Sequence, residues 1–234
     1  MCKWLVQALP LEYDGSDMKR NEQDWLAERQ RMVQQQLLHR GISDQRLLDA
    51  MLTVARERFV EDACQNSSYA DGPLPIGYGQ TISQPYIVAY MCQLLAVEKT
   101  HRVLEIGCGS GYQAAILAKL ADFVVAVERV EELYERALKV LTAELDSGKI
   151  RLFWGDGALG VPELAPFDRI IVSAAIKGTN PPLALMDQLA PEGIMVAPMG
   201  NFEQNIHIFI KKEGGIERYQ GLAVSFVPFI SDAN

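Results

Sequence analysis

Glu128 closes an apolar run, Glu105 lies two residues before the first of the glycines Gly107, Gly109 and Gly111, and Asp156 stands between Gly155 and Gly157 at the end of another run. Carboxylates at the mouths of buried strands, beside turns without side chains, suit a ligand that carries hydroxyls or positive charge. The three glycines form G-x-G-x-G, because position 112 is Tyr. A dinucleotide site needs its third glycine one position later, so that the first helical turn can approach a pyrophosphate. The turn is therefore shaped for another ligand, and S-adenosylmethionine, with its adenosine, sulfonium and amino-acid tail, fits it. Glu128 ends the run Phe123 to Val127, roughly 20 residues past the glycines, where a carboxylate can accept hydrogen bonds from both ribose hydroxyls. Glycine turns between strand and helix also occur for packing alone. Glu105, Glu128 and Gly155-Asp-Gly157 together favour a nucleoside-type cofactor.

Other chemistries have little support in the residue set. Cys2, Cys64, Cys92 and Cys108 form no C-x-x-C pair, and His39, His101 and His207 lie in separate elements, so no metal site and no disulfide framework is expected. No G-x-S-x-G accompanies the histidines. His207 sits in the alternating Asn205-Ile-His-Ile-Phe-Ile210, where a structural role is expected. A net charge of -8 argues against a general nucleic-acid binder, which needs a cationic face. No apolar run approaches the ~20 residues that cross a bilayer. A cytoplasmic protein that does not bind membranes, monomeric in solution, is the expectation.

With 234 residues and 49% hydrophobic content, the chain can build one full core. Residues 1–20 read as a loose extension and 21–234 as one domain, with a helical cap and active-site loop at 21–97 and a sheet core at 98–234. In the cap, Trp25, Arg29, Met32, Val33, Gln36 and Leu37 mark a helix from Glu22 to Arg40 that stops at Gly41, and Ser43 should cap a second. Asn66 to Tyr86 reads as a long irregular segment, of the kind that is more often functional than idle. Beyond a helix at Pro85 to Leu95 the chain alternates: strand 102–106, helix 111–121, strand 123–128, helix 131–146, strands 150–154 and 168–173, helix 182–190, strand 193–198. Such alternation implies parallel strands with right-handed crossovers. Ile206 to Lys211 and Gln220 to Phe229 should add an antiparallel edge pair. The fold class is thus α/β, on the Rossmann-like class I plan of methyltransferases that use S-adenosylmethionine.

The loop ahead of the sheet is more specific. Leu74-Pro-Ile-Gly-Tyr-Gly-Gln-Thr-Ile-Ser-Gln-Pro85, preceded by Arg56-Glu-Arg-Phe-Val60 and Tyr69-Ala-Asp71, resembles the signature of protein-L-isoaspartate O-methyltransferases. The resemblance continues through Val103 to Tyr112, Gly155-Asp-Gly157, Ala165 to Ala175 and Ala184 to Leu189, and spans about 55 to 229. It implies a repair enzyme that methylates the free α-carboxylate of isoaspartyl residues in damaged proteins and peptides, leaving S-adenosylhomocysteine. By the same resemblance Ser83 is the catalytic residue, and Thr81, Ile82 and Ser83 touch the cofactor. Glu105, the glycines and Glu128 join the cofactor set, Asp156 and Gly157 lie at the adenine, and Ile82, Ala174 and Ala175 meet the substrate.

Bland roles stand beside these. Ser83 could cap the helix that Pro85 opens, and Asp156 could simply form a turn. Cys108 departs from the Thr or Ser frequent in the family, and its side chain is expected to face away from the cofactor. Ala175 to Pro182 is about two residues longer than usual, which leaves open a related methyltransferase acting on a small molecule.

Overall fold

A computed structural model describes residues 20–232; all but the last residue of the expected extension at 1–20, Cys2 included, lies outside the described residues. Asn21 opens the first helix, α1 (Glu22–Met32), with a reciprocal capping box to Asp24. The predicted single helix to Arg40 is instead α1 followed by a π turn (Val33–Leu37) and a 3-10 turn (Leu38–Arg40), stopped by Gly41 at φ 86°. Asp44, rather than the expected Ser43, caps α2 (Gln45–Thr53) by accepting from the Arg46 and Leu47 amides.

The segment read as irregular contains a hairpin, β1 (Leu74–Gly77) and β2 (Gln80–Ile82). Its two loop residues, Tyr78 and Gly79, have φ of 54° and 70°, the positive values that a tight hairpin requires. The hairpin was illegible because Tyr-Gly replaces the usual Asn-Gly. α3 (Pro85–Leu95) follows, with Pro85 in its first turn.

The main sheet has seven strands in the order β5-β4-β3-β6-β7-β8-β9. These are β3 (Arg102–Ile106), β4 (Phe123–Glu128), β5 (Ile150–Trp154), β6 (Phe167–Val172), β7 (Leu189–Gly200), β8 (Gln204–Lys212) and β9 (Gly215–Val224). The first five are parallel and the last two antiparallel, as expected. α4 (Tyr112–Leu120) and α5 (Glu131–Val140) link the early strands, and α7 (Leu183–Gln188) precedes β7. The helix predicted at 131–146 breaks at Leu141 into α5 and α6 (Thr142–Asp146). β9 begins five residues earlier than expected and ends at Val224, so Ser225 to Asp232 leaves the sheet.

Alternate residues of each central strand feed opposite faces. Val103, Val124, Ala126, Ile171 and Val196 pack with α1 to α5, while Leu104, Val125, Ile170 and Met195 pack with α7. Each of these buried Val, Leu, Ile and Met side chains contributes about 1.5–3 kcal/mol. His207 is buried and bonded to Arg218 on β9, the structural role its setting suggested. The edge strand β9 leaves Ile216, Tyr219 and Leu222 exposed. β3 leads to β4 on one side, and the chain then crosses to β6 on the other. That reversal opens a crevice at the carboxyl ends of β3 and β6, where α/β sheets take their ligands.

Candidate active site

Glu105 reaches this crevice from inside β3. It is completely buried, and neither carboxylate oxygen has a hydrogen-bond partner. Burial, and then the nearby charge of Glu128, push its carboxyl well above the usual range. The chain next turns through Gly107, Gly109 and Gly111, all with positive φ (81°, 56° and 86°), a path open to glycine at little cost. The Gly109 amide donates to Glu128 Oε2 at 2.6 Å, and the Val130 amide donates to Oε1 at 2.8 Å. Two backbone donors thus hold the Glu128 carboxylate rigid at the end of β4. Gly157 is required for another reason: a Cβ there would sit 2.3 Å from Ile106 Cγ2.

The β1–β2 hairpin is pinned beside this turn. Arg136 of α5 donates to the Ile76 carbonyl at 2.8 Å, and Gln84 and Arg40 both bond Asp71. Thr81 consequently borders three adjoining cavities. The first is walled by Gly107, Gly109, Glu128, Gly157 and Ala174. A second, deeper one holds Ile82, Ser83, Glu105, Cys108, Tyr112 and Gln113. The third is an outer groove between Ser83, Gln84, Ile87 and the end of β9 with the residues that follow it, Val224 to Phe226.

The structure therefore brings nine of the expected residues to one place: Thr81, Ile82, Ser83, Glu105, Gly107, Gly109, Glu128, Gly157 and Ala174. Gly111, Asp156 and Ala175 line none of these cavities and stand behind them. Gly111 is the N-cap of α4, and Ala175 pairs through its backbone with Val227 and Phe229 at 2.8 Å each. Asp156 Oδ1 accepts from the Ala158 amide, and Oδ2 accepts from Ser231 Oγ (2.9 Å) and the Asp232 amide (2.7 Å). Burial works to raise its pKa, but these hydrogen bonds and Arg129 outweigh it and hold the carboxyl below the usual range.

Cys108 is buried beside the deeper cavity, and burial pushes its thiol well up. One expectation changes. Ser83 is not the helix cap; Gln84 takes that position, without a side-chain capping bond. Three features were missed. Gln113 Nε2 donates to Ser173 Oγ at 2.9 Å in the cavity wall. Val227 to Ile230 cover the first cavity as a strap, tied by Arg129 to Asp232 and Asp156. Arg56 donates to the Ser83 carbonyl at 2.9 Å. Pro228 was the sequence signal that this stretch leaves the sheet.

A family model described as protein-L-isoaspartate(D-aspartate) O-methyltransferase (PCMT) matches residues 27–234. The chain belongs to this family. A protein-L-isoaspartate O-methyltransferase of Anaeromyxobacter dehalogenans is 50% identical over 193 residues, covering 81% of this chain and 91% of that relative. One from Picosynechococcus is 48% identical over 203 residues, covering 87% and 90%. Among solved structures, a protein-L-isoaspartate O-methyltransferase aligns with a TM-score of 0.77 at 29% identity, over 86% of this chain and 65% of the other. A Plasmodium falciparum structure described as a PCMT in complex with S-adenosyl-L-homocysteine aligns at 0.74 and 25% identity, over 85% and 96%. The PCMT family uses S-adenosylmethionine, and the residues of this chain fit it. The partnerless Glu105 suits an ammonium, Glu128 a diol, and the glycine turn a ligand in close approach. Among the described residues, no group of His, Cys, Asp and Glu is arranged to hold a metal ion, and no helix is long and apolar enough to cross a membrane.

Proposed function

We propose that this chain transfers a methyl group from S-adenosylmethionine to the free α-carboxylate of L-isoaspartyl residues in damaged proteins and peptides. The carrying observation is the junction at Thr81–Ser83, where a cavity holding a partnerless buried carboxylate adjoins a groove open to a second reactant. When bound, the cofactor supplies an electrophilic methyl group on a sulfonium. Glu105 would receive its ammonium, Glu128 its ribose hydroxyls, and Gly107 and Gly109 would let it lie against the turn. Gly157 and Ala174 complete the wall, and Asp156 holds the strap over the adenine side.

The acceptor is already ionised at neutral pH, because an α-carboxylate titrates at about 3.3–3.7. No general base is needed. Ser83 and the neighbouring Ile82 orient the carboxylate in line with the methyl carbon, and exclusion of water removes its solvation. Pro73, Ile87, Val224 and Phe226 give the groove apolar walls beside Ser83 and Gln84, which suits an extended peptide; Ala174, in the wall of the first cavity, and Ala175 behind it would meet the end of that peptide that reaches the cofactor. Residues 21–234 act as one domain in this reading, divided at about 97 between cap and sheet core. The protein works as a cytoplasmic monomer without nucleic-acid or membrane partners, consistent with its net charge of -8 and the free thiols of Cys64, Cys92 and Cys108.

Paired peptides that differ only in isoaspartate versus aspartate, incubated with methyl-labelled cofactor, test the proposal. Selective labelling of the isoaspartyl peptide is expected; equal or absent labelling of the pair rejects it.

A further inference from the structure

Arg56 is among the largest fully buried side chains of the molecule, yet it carries a charge. Its Nε donates to the Ser68 carbonyl at 2.7 Å and its Nη2 to the Ser83 carbonyl at 2.9 Å, while its guanidinium carbon lies 4.8 Å from the centre of the Tyr112 ring. Nη1 is buried without a partner. Burying a cation with an unpaired donor is costly, and an apolar side chain of similar volume would serve stability as well or better. The placement explains what stability does not. Ser83 borders both the deeper cavity and the outer groove, and Tyr112 lines the deeper cavity.

We infer that Arg56 is a positioning residue of the acceptor site: it fixes the Ser83–Gln84 peptide so that the Gln84 amide faces the groove as a donor for the incoming carboxylate. In a trans peptide the N–H points opposite the C=O. With the Ser83 carbonyl drawn to Arg56, the Gln84 N–H is turned away from the guanidinium. Ser83, Gln84 and Ile87 line the groove there, and Arg56 does not. The guanidinium also sets a positive charge behind the junction.

This inference rests on the methyl-transfer reading above. Arg56→Gln removes the charge, and Arg56→Lys keeps it while losing the fork that reaches two carbonyls. Tyr69→Phe is the structural control: its hydroxyl receives the Arg56 amide and bonds Glu57 in the same buried cluster, without touching Ser83. Each variant is tested for S-adenosylhomocysteine affinity by calorimetry, for kcat and KM on an isoaspartyl peptide, and for thermal unfolding. Arg56→Gln should lower kcat by about 100-fold, the scale of a misplacement near 1 Å at a reacting centre, with Arg56→Lys intermediate. S-adenosylhomocysteine affinity should stay at the wild-type value, and Tyr69→Phe should lower Tm while keeping wild-type kcat. Wild-type turnover in both Arg56 variants overturns the inference, as does a parallel loss of turnover and of S-adenosylhomocysteine affinity. Failure of both variants to fold would assign Arg56 to stability and overturn it too. A wild-type enzyme inert toward the isoaspartyl peptide would instead overturn the methyl-transfer reading beneath it.

Discussion

Glu105 is the residue at which burial and ligand binding oppose each other. Its raised pKa means that the folded protein holds a proton that the unfolded chain would release. The sign follows from linkage: stability tied to this group is full below the ordinary carboxylate range and is lost as pH rises toward the raised value. Glu105→Gln should therefore raise the Tm of the ligand-free protein, by an amount that grows with pH; a pH series of melting curves checks this. The same substitution should weaken S-adenosylhomocysteine binding by about 1.5–3 kcal/mol, the worth of a hydrogen bond to a charged group, read by calorimetry. Ser83→Ala should lower kcat and leave that affinity unchanged, which single-turnover and binding measurements separate. Glu105, Glu128 and the glycines were legible because local backbone demands restrict those positions to few residue types. Arg56 and the Gln113–Ser173 pair were not. Their partners lie 27 and 60 positions away along the chain, and no local pattern announces such meetings.

At the scale of elements, the hairpin and the strap frame the cavities from opposite sides. The strap is held by the Ala175 backbone and by Arg129, whose guanidinium bonds both carboxylate oxygens of Asp232. An exposed ion pair contributes little to global stability, but here it closes a cavity. Arg129→Ala should leave Tm nearly unchanged and speed S-adenosylhomocysteine release, as stopped-flow displacement would show. The central parallel strands β3 and β4 could be read from their apolar runs, which are buried on both faces. The strap was read as strand because Phe226-Val-Pro-Phe-Ile230 is apolar for a different purpose, covering a cavity. The break of the helix at Leu141 was hidden because Leu141 itself is buried, packing where a Cβ on Gly111 would lie 3.0 Å from its Cδ1.

For the whole molecule, the cap and one face of the sheet share a continuous apolar core, from Met32 and Met51 to Val124 and Val196. The cap adds a buried polar knot in which Arg29 bonds Glu57 at 3.1 Å and Tyr69 at 2.9 Å. Arg29→Met would strand the Glu57 charge and should cost about 3–5 kcal/mol. Because the core is shared, denaturant curves followed by the fluorescence of Trp25 in the cap, in a variant with Trp4 and Trp154 replaced by Phe, and by far-UV circular dichroism should still coincide in one transition. The outer side of β9 carries a different consequence. Among the described residues no strand pairs beyond it, so its amides and carbonyls offer a template on which another extended chain could grow. Glu217 and Arg218, side by side at its centre among the exposed Ile216, Tyr219 and Leu222, would have to shed water for that to happen. Neutralising both should make a clear solution of the protein scatter light on standing.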